Sequence, residues 1–354
     1  MKKFVQAAVG AAATIALAAA LVASAGAGES SFTVTKLVAD QTGAAAKTDA
    51  SLVNAWGLTS TPTSPWWVAD NGQDVSTLYR ADGSKVPVTV GVASAPTGAV
   101  ANIGSTFTVT NGTTTAPAQF IFATEEGAIL AWNSTVSGTT AEVVVPAAGD
   151  AVFKGLAIAT TPAGNRLYAT DFHNGRVDVF DGSFANVTAP GSFADPNIPS
   201  GYAPFGIQTV GTTIFVTYAK QDADRHDDVA GQGHGFVDAF DTSGALIGRV
   251  ATHGQLNSPW GIATAPAGFG NFGGDLLVGN FGDGEVSAYE PQADGSYELV
   301  GQLRTADHKV LSIDGLWALQ FGKGTTANGP LTTLFFTAGP GGEQHGLFGT
   351  ITAG

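Results

Sequence analysis

Four polar residues end four short apolar segments of similar composition. They are Asp70 after "WWVA", Glu125 after "FIFAT", Asp171 after "RLYAT" and Asn280 after "DLLVG". Oxygen-donating side chains that converge on one point suit Ca²⁺, which prefers several oxygen ligands. The alternative is structural, because Asp and Asn at a strand end cap turns by accepting hydrogen bonds from backbone N–H groups. The equivalent positions in two further segments are Tyr218 and Ala338, which weakens the prediction of a metal ring.

A second acidic group lies in the stretch "QDADRHDDVAGQG". Its Asp222, Asp224 and Asp227 form a D-x-D-x-x-D pattern that resembles part of a calcium loop. The Glu at the twelfth position of a complete EF-hand loop is missing, so a solvated acidic loop is the preferred interpretation. The six histidines show no H-x-x-x-H or H-E-x-x-H spacing, and we therefore expect no zinc site.

Large side chains precede a small residue at a second set of equivalent positions. These positions are Trp56, Lys154, Phe205, Trp260 and Trp317. Together with His173 and His345 they are the candidate ligand-binding residues, because an aromatic ring flanked by loops is a common form of binding site. The alternative is that the aromatic residues only pack between neighbouring structural units, where they bury a large area.

The small residues of this motif reveal an internal repeat that must position all of these groups. They lie at positions 57, 98, 155, 206, 261 and 318, at intervals of 41 to 57 residues. Each unit contains three or four short β-branched or aromatic segments bounded by Gly, Asn, Asp or Pro. Six units of about fifty residues predict an all-β, six-bladed β-propeller. Glycine suits the innermost strand, where backbones approach closely.

The two ends of the repeat array predict how the ring closes. The sixth unit stops after a third strand, "GLFGTIT", whereas an alternating segment at 32–38 lies near the N-terminus. We expect this segment to complete the last blade and to remove the exposed sheet edge that would otherwise remain.

The order of the strands, named a to d from the axis outwards, places the loops on two faces. The a–b and c–d loops share one face, and the b–c loops share the other with the links between blades. The a–b loops are small and nearly free of ionisable groups. We expect all of the histidines on the b–c face, which makes it the predicted functional face: His173, His226, His234, His253, His308 and His345.

Composition bounds the functional class. Residues 1–27 read as a cleavable signal peptide, with Lys2 and Lys3 before an apolar run and small residues, so we expect an exported domain over 28–354, either periplasmic or secreted. Loss of the two lysines changes the formal charge from −14 to −16, which disfavours nucleic acid as a partner. The absence of cysteine excludes disulfides and thiol chemistry. We expect a monomer without a stable membrane anchor.

The stretch "RLYATDFHNGRVDVFDG" resembles the NHL-type propeller repeat, with Asp171, Asn174, Arg176 and Val177 at the positions of its D-x-x-N-x-R-V turn. The terminal motifs "LVNAWGL" and "LFFTAGPGGEQHGLFG" resemble a family of exported bacterial six-bladed propellers. This resemblance covers nearly the whole of 28–354 and implies the fold, but no activity. The set Asp70, Glu125, Asp171 and Asn280 is also similar to the metal ligands of lactonase-type propellers, which implies Ca²⁺ as a cofactor.

Two functional hypotheses follow from these observations. The first is a non-catalytic binding or interaction module that uses the b–c face to bind a small molecule, a polysaccharide or a protein. The second is a Ca²⁺-dependent hydrolase of the lactonase type with its metal in the central channel. A polysaccharide-binding or polysaccharide-cleaving propeller based on the three tryptophans is a weaker third hypothesis. The sequence leaves open whether the protein is an enzyme.

Overall fold

The computed structural model describes residues 30–354, so the predicted signal peptide at 1–27 lies outside the described residues. β-Strands predominate in the described range, with two 3₁₀ turns at Asn71–Gln73 and Gly270–Phe272. Six main sheets form the blades, and a small hairpin is added to the second of them. No helix within 30–354 is long and apolar enough to cross a membrane. The prediction of an all-β, six-bladed propeller is confirmed.

The strands follow the repeat. The N-terminal strands are β1 (Phe32–Ala39) and β2 (Lys47–Thr48), and blade 1 contains β3 (Ala55–Thr59), β4 (Trp66–Asp70), β5 (Val75–Tyr79) and β6 (Lys85–Gly91). Blade 2 contains β7 (Pro96–Ala101), β10 (Phe120–Thr124), β11 (Ile129–Trp132) and β12 (Glu142–Val145), with the inserted hairpin β8 (Thr108–Thr110) and β9 (Thr115–Pro117). Blade 3 contains β13 (Phe153–Thr161), β14 (Gly164–Asp171) and β15 (Arg176–Asp181).

The remaining three blades complete the ring. Blade 4 contains β16 (Tyr202–Val210), β17 (Thr213–Lys220), β18 (Gly235–Asp241) and β19 (Leu246–Thr252). Blade 5 contains β20 (Pro259–Thr264), β21 (Leu276–Asn280), β22 (Val286–Pro291) and β23 (Tyr297–Gln302). Blade 6 contains β24 (Leu316–Phe321), β25 (Leu334–Ala338) and β26 (Leu347–Ala353). Every innermost strand carries one copy of the aromatic-Gly motif or of its weaker variants.

Ring closure follows the prediction. Strand β1 pairs antiparallel with β26, from Phe32 opposite Ala353 to Ala39 opposite Leu347, and so supplies the outer strand that blade 6 lacks. Blade 3 has no regular outer strand in the described chain. Its third strand is accompanied there by one bridge from Phe180 to Asn186 and by a hydrogen bond from the Val187 N–H to the Val179 carbonyl.

The glycines of the inner strands allow the blades to approach at the axis. A Cβ on Gly206 would lie 2.1 Å from the Trp260 carbonyl oxygen of the next blade, and one on Gly98 would lie 2.3 Å from the Leu156 nitrogen. No side chain fits in these positions, which confirms the reason proposed for glycine there. The sixth position is Ala318, and there the ring is held by Thr337, whose hydroxyl donates to the Trp56 carbonyl.

Hydrophobic clusters between neighbouring blades form the rest of the core. One joins blades 1 and 2 around Trp67 and Phe122, and another joins blades 5 and 6 around Leu277 and Phe336. Buried threonines add hydrogen bonds across the blades; for example, Thr170 donates to the Phe205 carbonyl over 2.7 Å. This wedge packing fixes the blades around the axis, and the functional groups at its two ends are therefore held on a rigid scaffold.

Candidate functional site at the axis

A β-bulge positions the large residue of each inner-strand motif. In all six blades the pairing register between the first and second strands shifts at this point. Bulges redirect a side chain relative to regular strand alternation. The repeated shift brings the side chains of several blades together at the b–c end of the axis: Trp56, Lys154, Phe205, Trp260 and Trp317.

The aromatic members form a buried floor across the axis. The ring centroids of Trp56 and Trp317 lie 3.6 Å apart in a stacked arrangement, and Trp260 meets Trp317 edge-on at 5.7 Å. Phe205 packs against Trp317 at 5.8 Å. Trp56 and Trp317 are 2% and 1% exposed, so the indoles pack between blades and offer no stacking platform to a sugar. Burial therefore counts against the hypothesis of a tryptophan-based polysaccharide site.

Lys154 lies on this floor and is the centre of a charged cluster. Its ammonium nitrogen is 2.5 Å from Glu125 Oε1, 3.1 Å from Asp227 Oδ1 and 5.2 Å from the centroid of the Trp56 ring. Burial alone would lower the pKa of Lys154, but the charges of Glu125 and Asp227 outweigh it and raise that pKa above its ordinary value. Lys154 is thus a fixed cation at neutral pH, and it is unsuited to act as a nucleophile or a base.

An amide network extends the cluster. Asn71 Nδ2 donates to Glu125 Oε2 over 2.8 Å, and Asn54 Nδ2 donates to Glu343 Oε2 over 2.7 Å and to Asn71 Oδ1 over 3.1 Å. The Trp317 indole N–H donates to Asn54 Oδ1 over 3.2 Å. Burial raises the pKa of Glu343, and the nearby charge of Glu125 adds to this effect. The hydrogen bond from Asn54 opposes it but does not outweigh it. We call the group Asn54, Asn71, Glu125, Lys154, Asp227 and Glu343 the b–c mouth.

Exposure differs strongly among these side chains. The Lys154 side chain is 2% exposed, that of Glu125 is 17% and that of Asp227 is 66%. Asp227 belongs to the long loop between β17 and β18, so this loop covers Lys154 and presents a carboxylate to solvent. The pKa of Asp227 is lowered, because Lys154 and His226 together outweigh the effect of burial. The b–c mouth therefore presents negative charge outwards.

The predicted ring of four metal ligands does not form. Glu125 lies in the b–c mouth, but the other three side chains bond within or next to their own turns. Asp70 Oδ2 accepts the Thr77 backbone N–H over 2.9 Å. Asp171 Oδ2 accepts Asn174 Nδ2 over 2.8 Å and lies 3.3 Å from Arg176 Nη2. Asn280 Nδ2 donates to Asp283 Oδ1 over 3.1 Å and to the Gln255 carbonyl over 2.7 Å.

This correction has a common physical reason. A carboxylate or amide at the end of a second strand is one turn away from backbone and side-chain groups that can hydrogen-bond to it, so it bonds locally. Asp70 Oδ1 and Asn280 Oδ1 nevertheless have no hydrogen-bond partner within residues 30–354. Asp70 is fully buried, and burial raises its pKa well above its usual range despite the Thr77 hydrogen bond. Asp70 is therefore a structural group that bonds within its own blade.

The histidines of the predicted face have local roles. His173 is half-buried in the turn that Asp171 caps, and its backbone carbonyl accepts Gln221 Nε2 at 3.4 Å. His345 Nδ1 lies 2.8 Å from Asp40 Oδ2, and its Nε2 lies 2.9 Å from Gln41 Nε2, so it ties blade 6 to the end of β1. The histidine that reaches the b–c mouth is His226, whose Nδ1 lies 3.0 Å from Asp227 Oδ1.

A different group of potential metal ligands occurs in the b–c mouth. One donor atom each of Glu125, His226 and Asp227 lies within 4.8 Å of the others. Ca²⁺ takes six to eight oxygen ligands, which this set does not supply, and the imidazole suits a transition metal better. The Lys154 ammonium already contacts both carboxylates, so a metal ion would have to displace it. The residues present do not fit Ca²⁺.

Comparisons with known proteins agree with the fold. No protein-family model matches the chain. The chain is 32% identical over 329 residues to Uncharacterized protein R648 of Acanthamoeba polyphaga mimivirus, which covers 89% of this chain and 78% of that protein. This relative is viral, so the restriction to bacteria implied by the sequence resemblance is not supported.

Solved structures with a similar architecture include two enzymes. Virginiamycin B lyase from Staphylococcus aureus is 13% identical, with a TM-score of 0.51 over 91% of this chain and 99% of that chain. A gluconolactonase from Xanthomonas campestris is 14% identical, with a TM-score of 0.51 over 86% of this chain and 87% of that chain. At such low identity the likeness concerns the propeller fold alone.

Proposed function

The chain belongs to the family of the mimivirus protein R648, and we propose that it is an exported binding module whose ligand docks on the b–c face through a cationic group. One observation carries this proposal: the carboxylates of Glu125 and Asp227, of which that of Asp227 is exposed, are held in place from below by the buried ammonium of Lys154. A preorganised anionic site of this kind attracts an amine or guanidinium group.

The arrangement favours binding over catalysis. Lys154 is locked as a cation between two carboxylates, and Asp227 has a lowered pKa, so neither is poised to exchange a proton near neutral pH. Glu343 has a raised pKa, but its carboxylate contacts Asn54 within the network. The floor of three buried tryptophans gives the site rigidity, which lowers the entropic cost of binding.

A metal-dependent hydrolase is the second candidate, and the proximity of Glu125, His226 and Asp227 favours it. These three residues would hold a divalent metal, which supplies Lewis-acid chemistry when bound. This function requires the long loop between β17 and β18 to move and to release Asp227 from Lys154. The sequence hypothesis of a Ca²⁺ site at Asp70, Asp171 and Asn280 is no longer part of it.

Thermal unfolding tests the two candidates with defined ligands. We expect L-argininamide to raise the unfolding temperature at low salt, and we expect D227N to abolish that rise. D307N is the matched control, because Asp307 is also an exposed acid, 59% exposed, in a link on the same face. Equal stabilisation of both variants by argininamide would overturn the proposal. A rise with Mn²⁺ that depends on Asp227, together with Mn²⁺-dependent hydrolysis of a lactone, would favour the second candidate.

A further inference from the structure

A cavity of about 290 Å³ lies at the opposite end of the axis. The inner strands of five blades contribute to its wall, and it continues into a narrow space of about 20 Å³ beside Gly57 and Gly98. The narrow space has room for about one water molecule, so the inner-strand glycines close the channel between the two ends. Eight polar residues line the cavity, and we call six of them the a–b mouth: Ser60, Asn102, Gln208, Thr209, Gln320 and Lys323.

Lys323 is the charged group of this cavity. It is half-buried, and its ammonium donates a hydrogen bond to the Ser60 carbonyl. An ammonium has three N–H donors, so two remain for other acceptors. Among residues 30–354 no carboxylate forms an ion pair with Lys323, and burial by itself lowers its pKa. In a chain of net charge −14, a cation without a carboxylate partner inside a cavity is unusual and attracts an anion.

Three further polar atoms around the cavity lack hydrogen-bond partners within the described part of the chain. They are Ser60 Oγ, Thr209 Oγ1 and Asn102 Oδ1. All three atoms are buried behind the surface of the cavity, so a ligand reaches them only if their side chains rotate towards it. A buried polar atom without a partner costs roughly 1–3 kcal/mol, and native proteins keep few of them unless a ligand or water completes the bonding.

We propose that the a–b mouth is a binding site for a small organic anion that carries hydroxyl groups, such as a sugar acid. Its carboxylate pairs with the free donors of Lys323, and its hydroxyl groups bond to the side-chain amides of Gln208 and Gln320, which line the cavity. The carbon chain lies against the apolar part of the wall, formed by Ala99, Val100 and Leu156. This site is separate from the b–c mouth, and its ligand has the opposite charge.

A matched pair of ligands tests the charge requirement. D-Gluconate and D-glucitol share a six-carbon hydroxylated chain and differ in the carboxylate. We expect gluconate at about 10 mM to raise the unfolding temperature and glucitol to have no effect, because a ligand stabilises the state that binds it. Calorimetric titration of gluconate then gives the dissociation constant. Inorganic phosphate serves as a second anion in the same assay. The proposal is overturned if gluconate and glucitol have equal effects, or if neither gluconate nor phosphate raises the unfolding temperature.

Variants tie the effect to the cavity. K323M keeps the length of the side chain and removes its charge, and we expect it to weaken gluconate binding at least about tenfold, the effect of one charge-assisted hydrogen bond. K309M is the control, because the Lys309 side chain is 80% exposed outside the cavity. Q320L is a second variant of similar size that removes a polar lining group and keeps the proposal testable if K323M folds poorly. Unchanged gluconate affinity in Q320L and K323M refutes the assignment.

Discussion

The two ends of the propeller axis each hold a lysine that is withdrawn from solvent, but the two lysines have opposite surroundings. Lys154 at the b–c mouth contacts Glu125 and Asp227 and lies over the Trp56 ring. Lys323 at the a–b mouth has the Ser60 carbonyl as its acceptor and no carboxylate partner within residues 30–354. The lysine at one end is paired with carboxylates of the protein, whereas the lysine at the other end keeps two N–H donors free.

This difference shows that the loop composition alone is a poor guide to where a propeller binds. The a–b loops have few ionisable residues, and the b–c loops have many. Yet much of the bonding capacity of the b–c mouth is used internally, so a ligand there has to add to an existing network. At the a–b mouth an anion can accept the free N–H donors of Lys323 without displacing a protein partner. Each such contact therefore has a smaller desolvation cost.

Replacement of each lysine by methionine is the strongest test of this contrast. We expect K154M to lower the free energy of unfolding by about 3 kcal/mol, near the lower end of the range for breaking a buried ion pair, because Asp227 remains in contact with water. K323M removes a desolvated charge without a carboxylate partner, and we expect a change within about 1 kcal/mol. Urea denaturation measures both. Similar losses of unfolding free energy in K154M and K323M would contradict the difference between the two lysines.

Substitution of an inner-strand glycine between the two mouths should give the next largest change in the free energy of unfolding. G206A places a methyl group against the Trp260 carbonyl, and we expect a loss of about 1–3 kcal/mol in the free energy of unfolding from overpacking. G248A in β19 is the control, since a Cβ there has no neighbour within 4 Å. If urea denaturation shows both variants to be equally stable, the blades have more freedom at the axis than the structure indicates.

A smaller effect appears in the pH dependence of stability. Burial raises the pKa of Glu343 in the folded protein above its ordinary value of 4.5. A raised folded pKa contributes stability at low pH that is lost as the pH rises from 4.5 through the folded value. We therefore expect E343Q to flatten this part of the curve of unfolding free energy against pH, measured with urea. K323M, at the other mouth, should leave that part of the curve unchanged, and an equal flattening would contradict the assignment.

The fold was accessible from the sequence because its determinants are local and repeated. The aromatic-Gly motif recurs at each inner strand, and the alternating segment that begins at Phe32 was correctly assigned to the last blade. The missing regular outer strand of blade 3 was not foreseen, because the segment after Asp181 has no repeating motif that marks a strand. Turn composition also favoured the capping role that Asp171 and Asn280 adopt.

The candidate sites were less accessible, because they join residues that are distant in sequence. The repeat identifies Lys154 as a candidate, whereas the composition around its partner Asp227 predicts a solvated loop. The bond between Asn54 and Glu343 spans 289 positions, and no sequence motif marks either residue. At the a–b mouth, Lys323 lies in a loop without a motif, and only the structure shows that it is half-buried and lacks a carboxylate partner among the described residues. Carboxylates at equivalent strand ends did not converge, because side-chain direction depends on the turn that follows.

The pairing of β1 with β26 determines how the ring comes apart. Phe32 is opposite Ala353, so opposing forces applied at these two residues would peel the ladder one pair at a time, as in unzipping. Peeling needs far less force than sliding all the pairs at once, and it uncovers the hydrogen-bonding edge of β26 while the other blades remain folded. An edge uncovered in this way can accept the β1 segment of a second molecule, which would be a domain swap of one strand.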